Sequence, residues 1–383
     1  MNKQEAAEAA VGLVQACKVE VPLPLTQLVF SASLRTDGPL CPFPLPEIAT
    51  SSPVNGEDGV ALTRETILRL DRGWVHANVT LHVEALAGGA LALTTRVHRP
   101  AGQSPGVITV FYPAGPLPTN TRVVVNTMFR FRQATRMSGI SFATLSSRPL
   151  PNTAVCGRVF ASEIGDGGLN VGLAGVTISV DGRPDLVATT DTMGNFVLDP
   201  SPSGRFFVHI DGKTVQNVTG GYYPTVGKSW QATAGRVTRI GTIYLPFVVE
   251  GTLQPVSQIQ ETVIHMAPST IQQHPEFADV RITVPADSLY SPDGTRGGEV
   301  GLAPVAPDRL PGTLPPGLDL PLVITIQTNG PSNFDIPAPV CFPNLPLNNS
   351  TGAPGEPRGL VSFNHDSGRV RVHQNICFSF SIT

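Results

Sequence analysis

The clearest structural pattern in the sequence is at Ala154–Lys213, which reads AVCGRVFASEIGDGGLNVGLAGVTISVDGRPDLVATTDTMGNFVLDPSPSGRFFVHIDGK. Short runs in which apolar and polar residues alternate are separated by Gly, Asp and Pro. A period of two residues is typical of β-strands with one buried face, and these three residue types favour turns. The stretch therefore predicts a small β-sandwich. Its predicted strands are Cys156–Ala161, Val176–Val180, Val187–Thr190, Asn195–Leu198 and Gly204–Ile210.

One strand shows the alternation clearly. Val176, Ile178 and Val180 fall on one face, and Thr177 and Ser179 fall on the other. Successive side chains of a strand point to opposite sides of the sheet. We therefore expect the three aliphatic residues in the core.

A tight turn is predicted within Thr190–Phe196. Asp191 is expected to accept hydrogen bonds from the turn backbone, and Gly194 to take a positive φ angle. Phe196 then returns the chain to the core. These three residues form the predicted structural turn.

Three motifs follow one another along this stretch: G-x-V at Gly157–Val159, G-V-x-I-x-V at Gly175–Val180, and T-D-x-x-G-x-F at Thr190–Phe196. Their order resembles the carboxypeptidase regulatory-like domain, a transthyretin-like (prealbumin) sandwich. In that family the sandwich is an accessory, found beside catalytic domains and in bacterial surface proteins. The resemblance therefore implies a fold and no activity of its own.

Composition extends the β prediction to the whole chain. The 383 residues include 38 Gly and 37 Pro but are 41% hydrophobic, which favours many short strands around packed cores over disorder. Charged residues make up only 14%, with a net charge of −3, so neither nucleic acid nor an anionic membrane surface is expected as a partner. We predict an all-β chain of tandem β-sandwich modules with a short N-terminal helix.

Changes in sequence character divide the chain into four predicted segments. They are 1–50, a helix at Gln4–Lys18 and a Pro-rich connector; 51–150, a first sandwich; 151–249, the regulatory-like sandwich; and 250–383, a β-rich and incomplete domain.

Two of these segments show further resemblances. S-P-x-N-G-x-x-x-V at Ser52–Val60 and F-x-P-A-x-P-L-P-x-x-T-x-V at Phe111–Val123 resemble the bacterial Ig-like module of S-layer proteins. I-x-V-P-x-x-S-L at Ile282–Leu289 and G-T-x-G-G-x-V-G at Gly294–Gly301 resemble the start of a ZU5-like domain, which is used for protein contacts. Together they imply a multidomain bacterial surface protein, of which this chain is expected to be a fragment.

The sequence carries none of the common catalytic or cofactor-binding motifs. The chain has no H-E-x-x-H, no G-x-S-x-G elbow and no phosphate-binding glycine loop, so we predict no enzyme and no cofactor. Gly165–Gly168 with Asp191 offers oxygen ligands for calcium, but a solvated turn is favoured and no metal site is predicted. The five cysteines lack C-x-x-C spacing; disulfides Cys17–Cys41 or Cys341–Cys377 and buried free thiols both stay open.

A basic and aromatic run at the end of the first sandwich has two interpretations. Arg130, Arg132 and Arg136 with Phe129 and Phe131 would suit a nucleic-acid surface. The low net charge instead favours a strand with Phe inward and Arg outward.

Aromatic residues are the candidates for ligand binding. Tyr222, Tyr223 and Trp230, or Trp74, would stack on sugar rings if they were exposed, and would fill the core if they were buried. Core or interdomain packing is favoured, because Pro224 fixes the loop between them.

The functional expectation is a structural or adhesive array that acts as spacer and protein-contact surface, with other surface proteins or glycans as partners. Carbohydrate binding is the alternative, and an accessory part of a carboxypeptidase-type enzyme is the weakest option. Glu5 and Glu8 stand where a signal peptide would be apolar, and no stretch is long and apolar enough to span a membrane. An extracellular or cell-surface location is nevertheless expected from the modules.

Overall fold

The computed structural model describes residues 44–74, 78–99, 105–164, 169–291, 295–310, 320, 322–329, 333–334, 336–343, 358–364 and 369–376. Strands dominate these ranges, and the predicted all-β class is confirmed. The predicted helix Gln4–Lys18 lies outside the described residues. One short α-helix, α1 (Pro268–Gln273), stands within them and was not predicted.

The described residues of the first sandwich form eight strands. They are β1 (Ile48–Ser52), β2 (Asp58–Val60), β3 (Thr66–Leu70), β4 (Thr80–Leu86), β5 (Thr94–His98), β6 (Val107–Phe111), β7 (Arg122–Phe131) and β8 (Ala134–Thr144). One sheet has the order β1-β3-β6-β5 and the other β2-β8-β7-β4. Among the described strand pairs of this sandwich, β2–β8 is parallel and the others are antiparallel. The order of the first sheet is that of strands A, B, E and D in an immunoglobulin-type sandwich. In the second sheet, β4, β7 and β8 take the positions of strands C, F and G, and β2 lies at the edge next to β8.

Strand β7 shows why this sandwich forms. Phe129 and Phe131 are buried between the sheets and Arg130 is exposed, as the alternation predicts. Arg132 lies beyond the strand at a φ of 52° in the turn to β8. Arg136, opposite Phe129 on β8, forms an ion pair with Glu47. The three arginines therefore have different surroundings: Arg130 is on a strand, Arg132 is in a turn, and Arg136 is in an ion pair.

The second sandwich follows directly. Its strands are β9 (Ala154–Ile164), β10 (Asn170–Gly172), β11 (Thr177–Val180), β12 (Arg183–Thr189), β13 (Asn195–Leu198), β14 (Gly204–Asp211), β15 (Gly221–Tyr222), β16 (Thr225–Ala232), β17 (Val237–Leu245) and β18 (Val248–Val249). One sheet has the order β12-β11-β14-β16. In the other, β17 pairs in parallel with one edge of β9, while β13 and β10 pair with β9 in antiparallel. β15 pairs with β18.

All five strands predicted for Ala154–Lys213 are present. The largest difference is at β12, which begins at Arg183, four positions before the predicted start. Pro184 suggested a turn there, but β12 is an edge strand, where proline is tolerated because its missing N–H faces away from the ladder. Val176, Ile178 and Val180 are all buried in the core, as predicted.

The third sandwich begins after β18. Its strands are β19 (Gln254–Val256), β20 (Thr262–His265), β21 (Arg281–Val284), β22 (Leu289–Tyr290), β23 (Gly298–Pro304), β24 (Ile324–Asn329), β25 (Asn333–Phe334) and β26 (Val340–Cys341). Sheets β19-β23-β24 and β20-β21-β26 enclose a core that includes Ile264, Ile282 and Leu302, and β22 pairs with β25. Further along the chain, β27 (Arg358–Asn364) and β28 (Arg369–Ile376) form a hairpin.

Candidate functional site

Trp230 is a core residue of the second sandwich. Its side chain is only 4% exposed. Its ring stacks on Phe196, with centroids 5.5 Å apart and planes 14° apart, and it meets Phe206 edge to face at 6.1 Å. Because these neighbours cover the ring, Trp230 offers no open face to a sugar.

Tyr222 and Tyr223 are half-buried and contact different partners. The Lys213 ammonium lies 5.6 Å from the Tyr222 ring centroid, and burial raises the pKa of Tyr222. The Tyr223 ring packs against Phe247, with centroids 5.3 Å apart at 59°. Burial, followed by the charge of Glu163, raises the pKa of Tyr223 to about 12. The Tyr222 hydroxyl is buried and has no hydrogen-bond partner among the described residues.

Trp74 lies in the core of the first sandwich. It is 4% exposed and meets Phe129 edge to face at 5.0 Å. The Arg99 guanidinium lies 4.8 Å from the centroid of its ring. Like Trp230, Trp74 has its ring covered by other side chains.

The turn at Asp191 is built from its own carboxylate. Asp191 Oδ1 accepts hydrogen bonds from the backbone N–H groups of Met193 (2.9 Å) and Asn195 (2.8 Å). Hydrogen bonds from Asn195 hold the pKa of Asp191 below its ordinary value. Gly194 has a φ of 77°, and Phe196 is 3% exposed in the core.

The calcium and disulfide alternatives fall largely outside the described residues. Gly165–Gly168 is not among them, nor are Cys17, Cys41 and Cys377. Cys156 forms no disulfide within the described part of the chain. In the same part, no group of three or more His, Cys, Asp or Glu side chains is arranged to hold a metal ion.

The junction between the first and second sandwiches is centred on Asp181, whose side chain is only 2% exposed. Its carboxylate accepts hydrogen bonds from the Leu62 backbone N–H and from the Thr63 hydroxyl (2.7 Å), both in the first sandwich. His209 Nε2, within the second sandwich, lies 2.8 Å from Asp181 Oδ1. Next to them, an apolar cluster closes the junction; its members are Ala61, Leu145 and Phe207. One buried carboxylate therefore joins two sandwiches.

The junction between the first and third sandwiches is centred on Tyr290. Tyr290 is fully buried and meets Phe111 of β6 edge to face at 5.4 Å. Its hydroxyl donates to Glu65 Oε1 (3.2 Å), which also accepts from the Asn333 amide. Nearby, Arg96 of β5 donates to the Asp287 backbone carbonyl (2.9 Å) and pairs with its carboxylate.

The junction between the second and third sandwiches uses Arg309, which is 8% exposed. Its Nη1 donates to the backbone carbonyls of Ala161 (3.3 Å) and Glu163 (3.4 Å) at the end of β9. Its guanidinium lies 5.1 Å from the Tyr244 ring centroid. A buried cation is thus held by carbonyl oxygens and by a ring face.

Two cavities border this junction. The first has a volume of about 530 Å³ and lies between β9 and β18 on one side and α1 and β23 on the other. The second, of about 440 Å³, is lined by Tyr223, Asn217 and the β10 region. Glu163 and Phe247 line both cavities. Partial desolvation at the cavity wall is the largest influence on the Glu163 carboxyl, whose side chain still contacts solvent, and it raises the pKa of this group.

Sequence reasoning missed the residues at the junctions. Asp181 and Gly182 fall between the predicted strands Val176–Val180 and Val187–Thr190, where the sequence predicts only a turn, and Gly182 does have a φ of 68°. Tyr290 and Arg309 lie in the segment 250–383, for which the sequence predicts only a β-rich domain. Local patterns report which face of a strand is buried, but they do not identify which other module covers a given turn.

Comparisons with known proteins identify no family. No family model matches the chain, and no curated protein matches it. No helix among the described residues has the length and apolar character needed to cross a membrane.

Solved structures give matches at low similarity. The chain is similar to the TIE protein of Bacillus anthracis (10% identity, TM-score 0.19), covering 99% of this chain and 60% of that one. It is similar to the cycloalternan-forming enzyme of Listeria monocytogenes (11%, TM-score 0.19), covering 66% and 20%. A third match is mouse clustered protocadherin PcdhgC3 EC1-3 (9%, TM-score 0.13), covering 49% and 76%. The chain spans less than two thirds of the first two proteins, and matches at these TM-scores identify neither family nor function.

Proposed function

We propose that the chain is a non-catalytic structural or adhesive part of a bacterial surface or secreted protein, acting as a spacer and a protein-contact surface. The observation that carries the proposal is the set of buried junctions centred on Asp181, Tyr290 and Arg309. Interfaces between domains of one chain are often polar and mobile. Buried hydrogen-bonded junctions instead suit a body whose surfaces keep fixed relative positions.

The use of acidic groups supports the same proposal. Asp181 is buried and Glu65 is half-buried, and each carboxylate accepts a hydrogen bond from a neighbouring sandwich. The donor to Asp181 is in the first sandwich, and the donor to Glu65 is in the third. Both Asp181 oxygens and Glu65 Oε1 accept from structural donors. A general base, in contrast, must be within reach of a substrate proton.

The experiment is a binding and turnover assay on the purified full chain. Surface plasmon resonance measures its binding to fractionated bacterial envelope proteins and polysaccharides, and a panel of peptide and glycoside substrates measures hydrolysis. We expect saturable binding to a protein component without turnover. Reproducible hydrolysis by the pure protein would overturn the proposal.

Carbohydrate binding is the second candidate, because Tyr223 lines the cavity of about 440 Å³ together with the polar side chain of Asn217. Trp230 does not contribute, since its ring is covered. A glycan array tests this candidate with the parent protein and Tyr223→Ala. Saturable glycan binding that Tyr223→Ala abolishes supports it, and equal binding by both proteins excludes a role of this cavity.

A further inference from the structure

We propose that the first cavity binds a primary alkylammonium group, carried either by a free amine or by a lysine side chain of a partner protein. The cavity has a volume of about 530 Å³, which lies within the usual range for small-molecule sites. The proposal is independent of the structural role above, because it concerns a ligand and not the rigidity of the body.

The inner wall carries hydroxyl groups that lack partners. Val159 and Ala161 of β9 are buried in the core of the second sandwich. By the strand alternation, Ser162 faces away from that core, on the side of the cavity that it lines. Ser162 is 8% exposed and Thr252 1% exposed. Neither hydroxyl has a hydrogen-bond partner among the described residues, which is costly for a buried polar group.

The outer wall is acidic. Glu163 and Glu276 line the cavity and are exposed, and no Lys or Arg is among the described residues that line it. His274 Nδ1 lies 3.3 Å from Glu276 Oε1, and both side chains are about half exposed. Arg309, the nearby cation, is already bound to the carbonyls of the β9 end. The cavity therefore presents acceptors and negative charge to a ligand.

These features select the chemistry of the ligand. An ammonium group has three donors and no acceptor, so it matches hydroxyl and carboxylate oxygens. The remaining wall is largely aliphatic, which suits a methylene chain; it includes Val249, Val305 and Val323. A pyranose would need an open ring to stack on, but Phe277 is only 5% exposed and Phe247 packs against Tyr223. A carboxylate ligand would be repelled by the two acids.

The test is isothermal titration calorimetry of the full chain with n-hexylamine. 1-Hexanol and hexanoate serve as neutral and anionic controls of the same chain length. We expect saturable binding of the amine, tighter than that of the alcohol, and no binding of hexanoate. Glu163→Gln and Glu276→Gln should each weaken binding about tenfold, which corresponds to about 1.4 kcal/mol for a lost charged contact. Glu261→Gln, an exposed acid outside the cavity, is the matched control and should bind like the parent.

Titration with Nα-acetyl-lysine N-methylamide separates the two sources of the ammonium group. Binding at least as tight as that of hexylamine assigns the site to a lysine of a partner protein, and much weaker binding assigns it to free amines. The proposal is overturned if hexylamine gives no saturable heat, if hexanol binds equally well, or if Glu261→Gln weakens binding as much as the cavity variants do. Unfolding curves that match the parent exclude misfolding of the variants.

Discussion

Replacing Asp181 by alanine tests how the first two sandwiches are joined. The change removes the acceptor of the Leu62 N–H, and Leu62 is only 4% exposed, so this donor stays buried without a partner. Such a group costs about 1–3 kcal/mol. Thr63 is exposed and the His209 side chain is 37% exposed, so in the variant both groups can form hydrogen bonds to water instead. The loss of their two bonds to Asp181 therefore adds only about 1 kcal/mol in total.

The expected loss in the free energy of unfolding is therefore about 2–4 kcal/mol for Asp181→Ala. Asp181→Asn keeps the shape and one acceptor oxygen, so it should lose about half of that amount. Asp185→Ala is the control on the neighbouring strand, because Asp185 pairs with Arg183 at the surface. Exposed pairs contribute little to stability, and we expect no measurable change for this variant.

The two tryptophans provide the assay. Trp74 lies in the first core and Trp230 in the second, and the chain has no others. Urea unfolding of the Trp74→Phe and Trp230→Phe proteins follows each sandwich separately by fluorescence. Asp181→Ala should lower the midpoints and separate the two curves. Curves that superimpose on those of Asp185→Ala would refute the account of this junction.

Three further changes test the Asp191 turn, the junction between the first and third sandwiches, and the Glu163 carboxyl. Gly194→Ala would place a Cβ 2.3 Å from the Val159 carbonyl oxygen. The control is Gly235→Ala, because Gly235 has a similar positive φ but open space around the added Cβ, and this variant should lose about 1–2 kcal/mol of stability. Gly194→Ala should therefore lower the urea midpoint more than Gly235→Ala. Equal midpoints would contradict the close approach. In urea unfolding, Tyr290→Ala should lower the free energy of unfolding by about 3–5 kcal/mol, because it removes the buried ring. Tyr290→Phe removes only the hydroxyl and should lower it by about 1 kcal/mol. A smaller loss for the alanine variant than for the phenylalanine variant would contradict the packing of the ring. The raised pKa of Glu163 means that its contribution to stability is present below its ordinary pKa of 4.5 and is lost as pH rises through the raised value. Glu163→Gln should therefore gain stability over the parent as pH rises from ~4 to ~7, and a gain that is independent of pH would argue against the shift.

The sequence predicted local structure because that structure depends on neighbours along the chain. Val176–Val180 alternates, and its three aliphatic residues are buried. The motif around Asp191 specifies its own hydrogen bonds within a few residues. Trp230 was expected to favour the core over a sugar platform, and its ring is covered by Phe196 and Phe206.

The junctions could not be predicted, because they depend on residues that are far apart along the chain. Asp181 lies in a turn whose sequence is ordinary for a hairpin, and its partner Leu62 is 119 positions away. Helix α1 has six residues and begins at a proline, too short to show a helical period. The cavity beside Arg309 depends on how two sandwiches meet, which no local pattern encodes.

Residual dipolar couplings of the full chain test whether the three sandwiches form one rigid body. Backbone amide couplings are measured for perdeuterated protein in a weakly aligning medium, and amides of β7, β14 and β23 represent the three sandwiches. For a rigid body, we expect that one alignment tensor fits all three sets. Sets that each require a tensor of different magnitude would contradict it, because the sandwiches would then move independently.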